Sequence, residues 1–401
     1  MFSSRLRQSA ARNRLAVALD RRRAAGLPVV DLTLSNPTRA GFRYPTDLLQ
    51  PLADTRARCY EPDPFGLASA REAVADDFAR RGTAVVTDRI VLTASTSEAY
   101  SLLFKLLCDP GDTVLSPRPS YPLVEHLTEL DGISLDHYGL ELHGRWAIDV
   151  HAIRDKLSAP AGRRIRAIVL VSPNNPTGSI VKDAELDAIA TLAREQQLAI
   201  IADEVFADYP ISGPPPQSVL RQPAALTFAL GGLSKTAGLP QVKLGWIGVG
   251  GPAALVDQAM ARLETISDAY LSVSTPVQVA ARDLLTAGAT IRTQIQQRVR
   301  DNFVAISKIA SRYPACSIMP LEAGWYAVMQ VPAVKSEEMI VLDVLDRTGI
   351  LVHPGYFFDF EREAFLVISL LPDPAIFAEA VEALLGEVAP ECGAATGVRP
   401  R

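Results

Sequence analysis

Short apolar runs of strand length alternate with amphipathic helical patterns along most of this 401-residue chain. The clearest apolar runs occupy residues 89–93, 113–116, 167–172, 198–202, 227–231 and 245–249. Helical patterns lie between them at residues 68–81, 98–107, 122–130 and 183–196. This alternation predicts an α/β fold, in which helices connect the strands of a largely parallel sheet.

The pattern changes near residue 290. A long helical pattern at 291–310 is followed by a strand pattern at 327–331, a helical pattern at 337–348 and a strand pattern at 365–370. Such a mixed order is typical of an α+β unit. We therefore predict a large first domain and a smaller C-terminal domain that begins near residue 291.

Composition and charge argue against several classes of protein. With 48% hydrophobic and 21% charged residues, the chain has enough apolar side chains for a large core and does not match a disordered protein. A formal net charge of −5 argues against a nucleic-acid binder. Because no apolar run reaches the ~20 residues that a spanning helix needs, we expect no membrane segment.

The cysteines and histidines indicate neither a metal site nor a disulfide framework. Cys59, Cys108, Cys316 and Cys392 are far apart and form no CxxC pair, which fits a reducing cytoplasm. Residues 1–19 carry four arginines and no acid, which resembles a transit peptide. We favour a native amphipathic helix, because the pattern runs into a strand-like segment at 29–34 without a cleavable spacer.

Only seven of the 40 basic residues are lysines. Arginine stays protonated under ordinary conditions, whereas a buried lysine can become a neutral amine. Lys235 follows a strand pattern and lies among small and apolar residues, which disfavour the ammonium form and favour Schiff-base chemistry. Taken alone, a lysine in such a loop is more often a surface residue.

Three further polar segments follow strand patterns, at the edge where open α/β sheets place their ligands. Ser95 could cap a helix with Glu98, or the amides and hydroxyls around it could hold an anion. The sequence Asn-Pro-Thr-Gly at 175–178 predicts a tight turn, and the doubled asparagine offers a side-chain amide that can point over the sheet. Asp203 ends an apolar strand, where it could cap a turn or pair with a buried cationic nitrogen.

In this order, the four segments resemble the class I and II aminotransferases, the fold type I enzymes that use pyridoxal 5′-phosphate. The resemblance covers nearly the whole chain and includes the Asp-Pro-Gly-Asp turn at 109–112, Pro-Ser-Tyr-Pro at 119–122 and Glu-Ala-Gly-Trp-Tyr at 322–326. It implies a large cofactor-binding domain (46–290) with a mostly parallel seven-stranded sheet flanked by helices, and a small α+β domain (291–401). Residues 1–45 would form an N-terminal helix and arm that packs with the small domain and covers the active site.

The resemblance implies pyridoxal 5′-phosphate as the cofactor and a role for each matching residue. Lys235 would bind it as a Schiff base and move the proton between the substrate Cα and the cofactor. Asp203 would pair with the pyridinium nitrogen, so that the ring accepts electrons. Asn175 would hydrogen-bond the ring 3-oxygen, and Tyr121 would stack on the ring face.

The phosphate group would be held by hydroxyl groups and one cation, namely those of Ser95, Thr96, Ser97, Ser234 and Lys243. Tyr60 would reach the phosphate bound by the neighbouring subunit, so the resemblance implies a homodimer with shared active sites. Ser35 matches the loop that covers the substrate. The implied partners are a small-molecule amino donor and a 2-oxo acid acceptor, with no nucleic acid and no membrane.

Three positions depart from the pattern of the family. Lys243 stands where the family usually has arginine, so the charge is kept but the bidentate fork is lost. Phe206 stands where a tyrosine normally bonds the 3-oxygen, a loss for which Tyr209 could compensate. Val367, in Val-Ile-Ser at 367–369, stands where the family has the arginine that binds the substrate carboxylate.

The resulting hypothesis is an aminotransferase that moves an amino group from an amino acid to a 2-oxo acid by ping-pong chemistry through Lys235. If the substrate has an α-carboxylate, another arginine must bind it, and Arg39, Arg43 and Arg118 are candidates. The alternative is a lyase, a decarboxylase or an amine-specific transaminase with the same cofactor. A non-catalytic ligand-sensing domain is disfavoured, because the chain starts with a single helix and is acidic.

Overall fold

The computed structural model describes residues 2–3, 5 and 12–389. The described chain divides into two compact units. The first comprises Asn36–Gln297 and Pro320–Gly324, with the described residues before position 9. The second comprises residues 12–35, Arg298–Met319 and 325–389. Cys392 and the C-terminal end lie outside the described residues, and so does most of the N-terminal arginine-rich segment.

The helices and strands of the described residues follow each other in mixed order along the chain. The helices are α1 (Arg14–Ala24), α2 (Ala68–Arg80), α3 (Thr96–Leu107), α4 (Leu123–Asp131), α5 (Val150–Ser158), α6 (Asp183–Glu195), α7 (Leu233–Thr236), α8 (Ala253–Asp268), α9 (Thr275–Val279), α10 (Ala281–Ala310), α11 (Glu337–Thr348) and α12 (Pro374–Val388). The strands are β1 (Val30–Asp31), β2 (Ile90–Thr93), β3 (Thr113–Arg118), β4 (Ser134–Leu142), β5 (Trp146–Ile148), β6 (Ile165–Val171), β7 (Ala199–Asp203), β8 (Leu226–Gly232), β9 (Gly245–Gly250), β10 (Ser317–Ile318), β11 (Tyr326–Gln330), β12 (Ile350–Leu351), β13 (His353–Pro354) and β14 (Phe365–Ser369).

The first unit is built on an eight-stranded sheet in the order β2-β9-β8-β7-β6-β3-β4-β5. The five strands from β8 to β4 pair in parallel, whereas β9 runs antiparallel to both of its neighbours and β5 runs antiparallel to β4. The predicted α/β fold with helices flanking the sheet is confirmed. The predicted number of seven strands is wrong, because the three-residue strand β5 forms a hairpin with β4 and is too short to show a periodic pattern.

The central strands are apolar on both faces, as helices on both sides of a parallel sheet require. The side chains of residues 167–170 in β6 are all fully buried. On one face, α3 packs Tyr100, Leu103 and Phe104 into a core cluster that includes Val169 and Ile201. This core holds the strand ends of the sheet in fixed positions.

The second unit contains a four-stranded antiparallel sheet in the order β10-β11-β14-β13 and a two-stranded parallel sheet of β1 and β12. The helices α11 and α12 of this unit bury Val344 and Leu384 completely. The α+β character predicted for the C-terminal part agrees with this order of elements. The predicted limits of the three domains stay a prediction.

Within the described part of the chain, no helix combines the length and the apolar character that crossing a bilayer requires. The same residues contain no group of three or more histidine, cysteine, aspartate or glutamate side chains that could hold a metal ion.

Candidate active site

The four segments singled out in the sequence and the stretch that contains Lys243 meet at one edge of the large sheet. The register places the last residue of β7, Asp203, opposite Val171 of β6 and Leu230 of β8. Gly245, the first residue of β9, is opposite Gly232 of β8 and Thr93 of β2. The chain therefore brings the residues that follow β2, β6, β7 and β8, and those that precede β9, to the same edge.

Lys235 lies on the one-turn helix α7, directly after β8. Its side chain is half-buried, and the Nζ atom lies 5.6 Å from the ring centroid of Phe206. Burial lowers the pKa of Lys235 from the ordinary 10.5 to about 8, although the charge of Asp203 acts in the opposite direction. An amine with this pKa is partly neutral near physiological pH, as nucleophilic and basic chemistry requires.

Asp203 carries a carboxyl group that the protein withdraws from water. Burial raises the pKa of Asp203 from 3.8 to about 6, and two hydrogen bonds together with the charge of Lys235 limit the rise. The Val205 amide donates to Oδ1 over 3.2 Å, and the Tyr100 hydroxyl donates to Oδ2 over 3.4 Å. Tyr100 was missed in the sequence because its helical pattern identifies it only as a core residue.

The two neighbouring asparagines differ in their hydrogen bonds: the Asn174 side chain stabilises the turn, whereas the Asn175 side-chain carbonyl oxygen has no partner among the described residues. Asn174 is buried, and its Oδ1 accepts hydrogen bonds from the amide and the hydroxyl of Thr177, which stabilises the turn. The Oδ1 atom of Asn175 is buried and has no hydrogen-bond partner among the described residues. Because an unpaired buried carbonyl is costly, this atom marks a place for a ligand donor.

Ser95, Thr96 and Ser97 lie at the start of α3, where Ser95 is the N-cap. Its Oγ accepts from the Glu98 amide over 3.2 Å, while a carboxylate oxygen of Glu98 accepts from the Ala94 amide over 2.6 Å. The cap predicted from the sequence is therefore present. It is compatible with anion binding, because the first amides of a helix lack carbonyl partners within it.

The approach of β9 to this helix start depends on Gly245. A Cβ atom on Gly245 would lie 2.9 Å from the Ser95 carbonyl carbon and 3.1 Å from the Thr96 amide nitrogen. Lys243, two residues earlier, is exposed and has a left-handed backbone with φ of 63°. Ser234, beside Lys235 on α7, is half-buried at the same edge.

Phe206 is 4% exposed and presents no hydrogen-bonding group to Lys235. The Tyr209 hydroxyl donates to the main-chain carbonyl of Lys235. Since a hydroxyl has one proton to donate, the structure contradicts the expectation that Tyr209 compensates for Phe206 at a ring oxygen.

The structure gives the exposure of four further predicted residues and the unit that carries each of them. Tyr121, which follows β3, is 53% exposed, and Tyr60 is 67% exposed on the first unit. Ser35 is exposed and Val367 is fully buried, and both belong to the second unit. The first unit thus gathers the predicted lysine, aspartate, asparagine and phosphate residues at one sheet edge, and the roles of Tyr121, Tyr60, Ser35 and Val367 stay predictions.

The strand β13, next to the strand that carries Val367, contains a histidine that the sequence did not single out. His353 pairs directly with Val367, and its Nδ1 is buried without a hydrogen-bond partner among the described residues. Burial lowers the pKa of His353, and the charge of Asp31 opposes this. No motif in the sequence pointed to this histidine, because strand pairing is not visible in the order of residues.

A buried lysine and a buried carboxyl with shifted pKa values, at the strand ends of an α/β sheet, are typical of an active site with amine chemistry. The chain belongs to the aminotransferase class I and II family, whose model matches residues 36–384. The protein is therefore a transaminase, and the family uses pyridoxal 5′-phosphate.

Two curated relatives and two solved structures illustrate the similarity. The glutamate–pyruvate aminotransferase AlaA of Haemophilus influenzae is 27% identical over 360 residues, which cover 86% of this chain and 87% of the relative. The alanine aminotransferase of Mycobacterium tuberculosis is 27% identical over 373 residues, which cover 90% and 86%. The structure of an alanine aminotransferase from Pyrococcus furiosus has a TM-score of 0.83 at 25% identity, covering 92% of this chain and 95% of that one. An Escherichia coli aminotransferase has a TM-score of 0.83 at 26% identity, covering 97% of each chain.

Proposed function

We propose that this aminotransferase holds pyridoxal 5′-phosphate covalently on Lys235 and transfers an amino group from an amino acid to a 2-oxo acid. The observation that carries the proposal is the presence at one sheet edge of a lysine with a pKa of about 8 and a carboxyl with a pKa of about 6, each of which feels the charge of the other. The orphaned Oδ1 of Asn175 at the same edge supports it.

The residues present fit the cofactor. The shielded carboxylate of Asp203 suits a cationic ring nitrogen, because such a partner offsets the cost of burying the charge. The Nδ2 amide of Asn175 can donate to the ring oxygen, and the start of α3 with Ser234 and Lys243 suits the phosphate. Tyr121 would cover one face of the ring.

In the reaction, Lys235 moves the proton. When bound, the cofactor withdraws electrons from the substrate Cα and makes its proton acidic. The lowered pKa of Lys235 provides a neutral amine that accepts this proton and later returns it. Asp203 keeps the ring nitrogen charged, and the buried surroundings exclude water from the transfer.

The relatives suggest where to look for the substrates. Because glutamate–pyruvate and alanine aminotransferases are among the proteins that resemble this chain, alanine, glutamate and pyruvate are the first donors and acceptors to examine. Val367 indicates that the substrate carboxylate, if there is one, is bound differently. Arg39 and Arg43 are exposed, whereas Arg118 is half-buried at the end of β3, on the side of the sheet edge.

A second candidate function follows from the same departure. A fully buried valine cannot bind a carboxylate, so a substrate without one, such as a simple amine, would lose no ionic contact at position 367. A decarboxylase or lyase with the same cofactor is the corresponding alternative.

The proposal includes a homodimer in which Tyr60 serves the neighbouring subunit. Tyr60 and Tyr270 are exposed by 67% and 52%, which is unusual for aromatic side chains of this size. Both line an open cleft of about 450 Å³ on the first unit. A second copy of the chain would cover them, and light scattering across a concentration series tests this. The cytoplasmic location predicted from the cysteines stays a prediction.

The experiment is a titration of the purified protein, loaded with pyridoxal 5′-phosphate, with a panel of amino acids and matched amines. Loss of the visible absorbance of the cofactor, with formation of one equivalent of 2-oxo acid, supports the aminotransferase. Release of ammonia or carbon dioxide instead supports the lyase or decarboxylase. Borohydride reduction followed by peptide mapping must place the label on Lys235, and Lys235→Ala must remove it.

A further inference from the structure

Three main-chain carbonyls in the turn that carries Lys235 are each held by a side chain from another part of the first unit. The Tyr209 hydroxyl donates to the carbonyl of Lys235, and Arg292 donates from Nη1 to the carbonyl of Thr236 over 3.2 Å. The Tyr44 hydroxyl donates to the carbonyl of Gly238 over 2.8 Å. These three donors are called the turn clamp below.

The turn needs such support because its helix is very short. The helix α7 has four residues, and a helix of one turn is not stable by itself. Its last carbonyls lack partners within the helix. Donors from outside the helix therefore help to hold this turn, and the backbone of Lys235, in position.

The turn packs against the helix α10, which also carries Arg292. A Cβ atom on Gly288 would lie 2.3 Å from the Cβ of Ala237, and one on Gly238 would lie 2.8 Å from a methyl group of Ile291. The two backbones are thus in direct contact. Gly238 also has a φ of 65°, a left-handed conformation that closes the turn.

Arg292 also forms an ion pair with a buried carboxylate. Its Nε lies 3.8 Å from Oδ1 of Asp208, whose side chain is only 5% exposed. The same oxygen receives Nη2 of Arg80 at 2.7 Å. Asp208 directly precedes Tyr209 in the chain. The segment that carries the Tyr209 hydroxyl therefore also carries the carboxylate that pairs with Arg292.

We propose that Arg292, held by Asp208, is a positioning residue for Lys235. By binding the Thr236 carbonyl, it fixes the turn and therefore the place of the lysine amine and its separation from water. The inference rests on the proposed covalent role of Lys235. It assigns a part in the reaction to a side chain that acts through the main-chain carbonyl of Thr236.

The test uses the apoprotein, in which the lysine amine is read directly. Trinitrobenzenesulfonate reacts with neutral amines, and peptide mass spectrometry gives the labelling rate of Lys235 as a function of pH. In the natural protein this rate should titrate near pH 8. In Arg292→Gln the midpoint should rise by about one pH unit, because a looser turn exposes the amine to water.

Kinetics of the loaded enzyme provide the second readout. Arg292→Gln should lower kcat by ~10- to 100-fold, because misplacement of a reacting group by about 1 Å costs this much, while KM stays within about twofold. Asp208→Asn should act in the same direction. In kcat the double variant should be close to Arg292→Gln alone, because Asp208 reaches the turn through Arg292, whereas the loss of its contact with Arg80 should lower the melting temperature.

Two variants separate positioning from charge and from folding. Arg292→Lys keeps the charge but not the fork that reaches both Thr236 and Asp208, so it should restore at most part of the rate. Tyr209→Phe removes only one hydroxyl of the turn clamp, keeps every charge, and should raise the labelling midpoint by a smaller amount. Arg282→Gln is the matched control, because Arg282 lies on the same helix and pairs with Asp76 at the surface.

The outcomes are distinguishable. If Arg292→Gln lowers only the melting temperature, while the labelling midpoint and kcat stay natural, Arg292 is merely structural and the inference is overturned. If Arg292→Lys equals the natural protein in both readouts, charge alone is at work, which overturns it too. If Lys235 of the natural protein is never labelled by borohydride-reduced cofactor, the proposed function itself fails.

Discussion

Val367 stands directly opposite His353 in the antiparallel pairing of β14 with β13, and opposite Val328 of β11 on its other side. Both valines are buried, and Nδ1 of His353 has no hydrogen-bond partner within the described residues. An apolar row with a single imidazole therefore occupies the position at which the family pattern has an arginine. Burial lowers the pKa of His353, which favours its neutral form, although the charge of Asp31 acts in the opposite direction.

Val367→Arg should shift the preference of the enzyme towards substrates with an α-carboxylate. A charge-assisted hydrogen bond contributes about 1.5–3 kcal/mol, so the ratio of kcat/KM for amino acids to that for matched amines should rise by ~10- to 100-fold. The new charge is buried, and the free energy of unfolding should fall by about 1–3 kcal/mol. Half-transamination rates and urea denaturation measure the two effects.

The control for this change is Val367→Leu, which alters volume without adding a charge. An unchanged substrate ratio in a folded, cofactor-loaded Val367→Arg protein would show that the row around His353 does not face the substrate carboxylate.

Asp203→Asn should lower the pKa of Lys235 below about 8 in the apoprotein. The Asp203 charge raises the pKa of this lysine against the effect of burial, so removal of the charge leaves burial unopposed. The pH dependence of Lys235 modification, read by peptide mass spectrometry, measures the midpoint. Asp187→Asn, on the separate helix α6, is the matched control. An upward shift in Asp203→Asn would contradict the arrangement described.

Lys235→Met should stabilise the apoprotein at pH 7. The folded-state pKa of Lys235, about 8, lies below the ordinary 10.5, so the unfolded chain binds the proton more tightly. The resulting cost is present at pH 7 and disappears as the pH rises from about 8 to 10.5. Each pKa unit is worth about 1.4 kcal/mol, and we expect a gain of about 2–3 kcal/mol at pH 7.

Urea denaturation at pH 7 and at pH 10.5 tests this, and most of the gain should be absent at the higher pH. Lys308→Met removes an exposed lysine and should change stability little at either pH. A gain for Lys235→Met that is equal at both pH values would point to packing and away from the burial of charge.

Phe206→Tyr should restore the hydroxyl donor that the family pattern has at this position. The Phe206 ring lies 5.6 Å from Nζ of Lys235, and a donor near the ring 3-oxygen stabilises the form of the cofactor that carries a negative charge there. The pH at which the visible absorbance of the loaded enzyme changes should therefore fall. Phe228→Tyr, deep in the core on β8, would only destabilise the protein. A Phe206→Tyr spectrum with an unchanged titration midpoint would mean that the new hydroxyl is not directed at the cofactor.

The sequence predicted a helix or strand correctly where a long periodic pattern or an apolar run ended in a polar segment. The strands before Ser95, Asn175, Asp203 and Lys235 were predicted because apolar runs of five or six residues are strong signals. The hairpin strand β5 was missed because three residues carry no period. The helix predicted at 291–310 begins ten residues earlier in the structure, because α10 is continuous from Ala281 to Ala310.

The sequence by itself determined the class of fold, the lysine and the carboxylate, because these depend on local pattern and on the order of motifs. Only the tertiary structure decided how Lys235 is held: Tyr44, Tyr209 and Arg292 come from distant parts of the chain and meet at its turn. It alone showed that Tyr209 is committed to a main-chain carbonyl and that His353 stands beside Val367. The physical reason is that hydrogen-bond partners and shielding from water are properties of packed neighbours, which residue order does not specify.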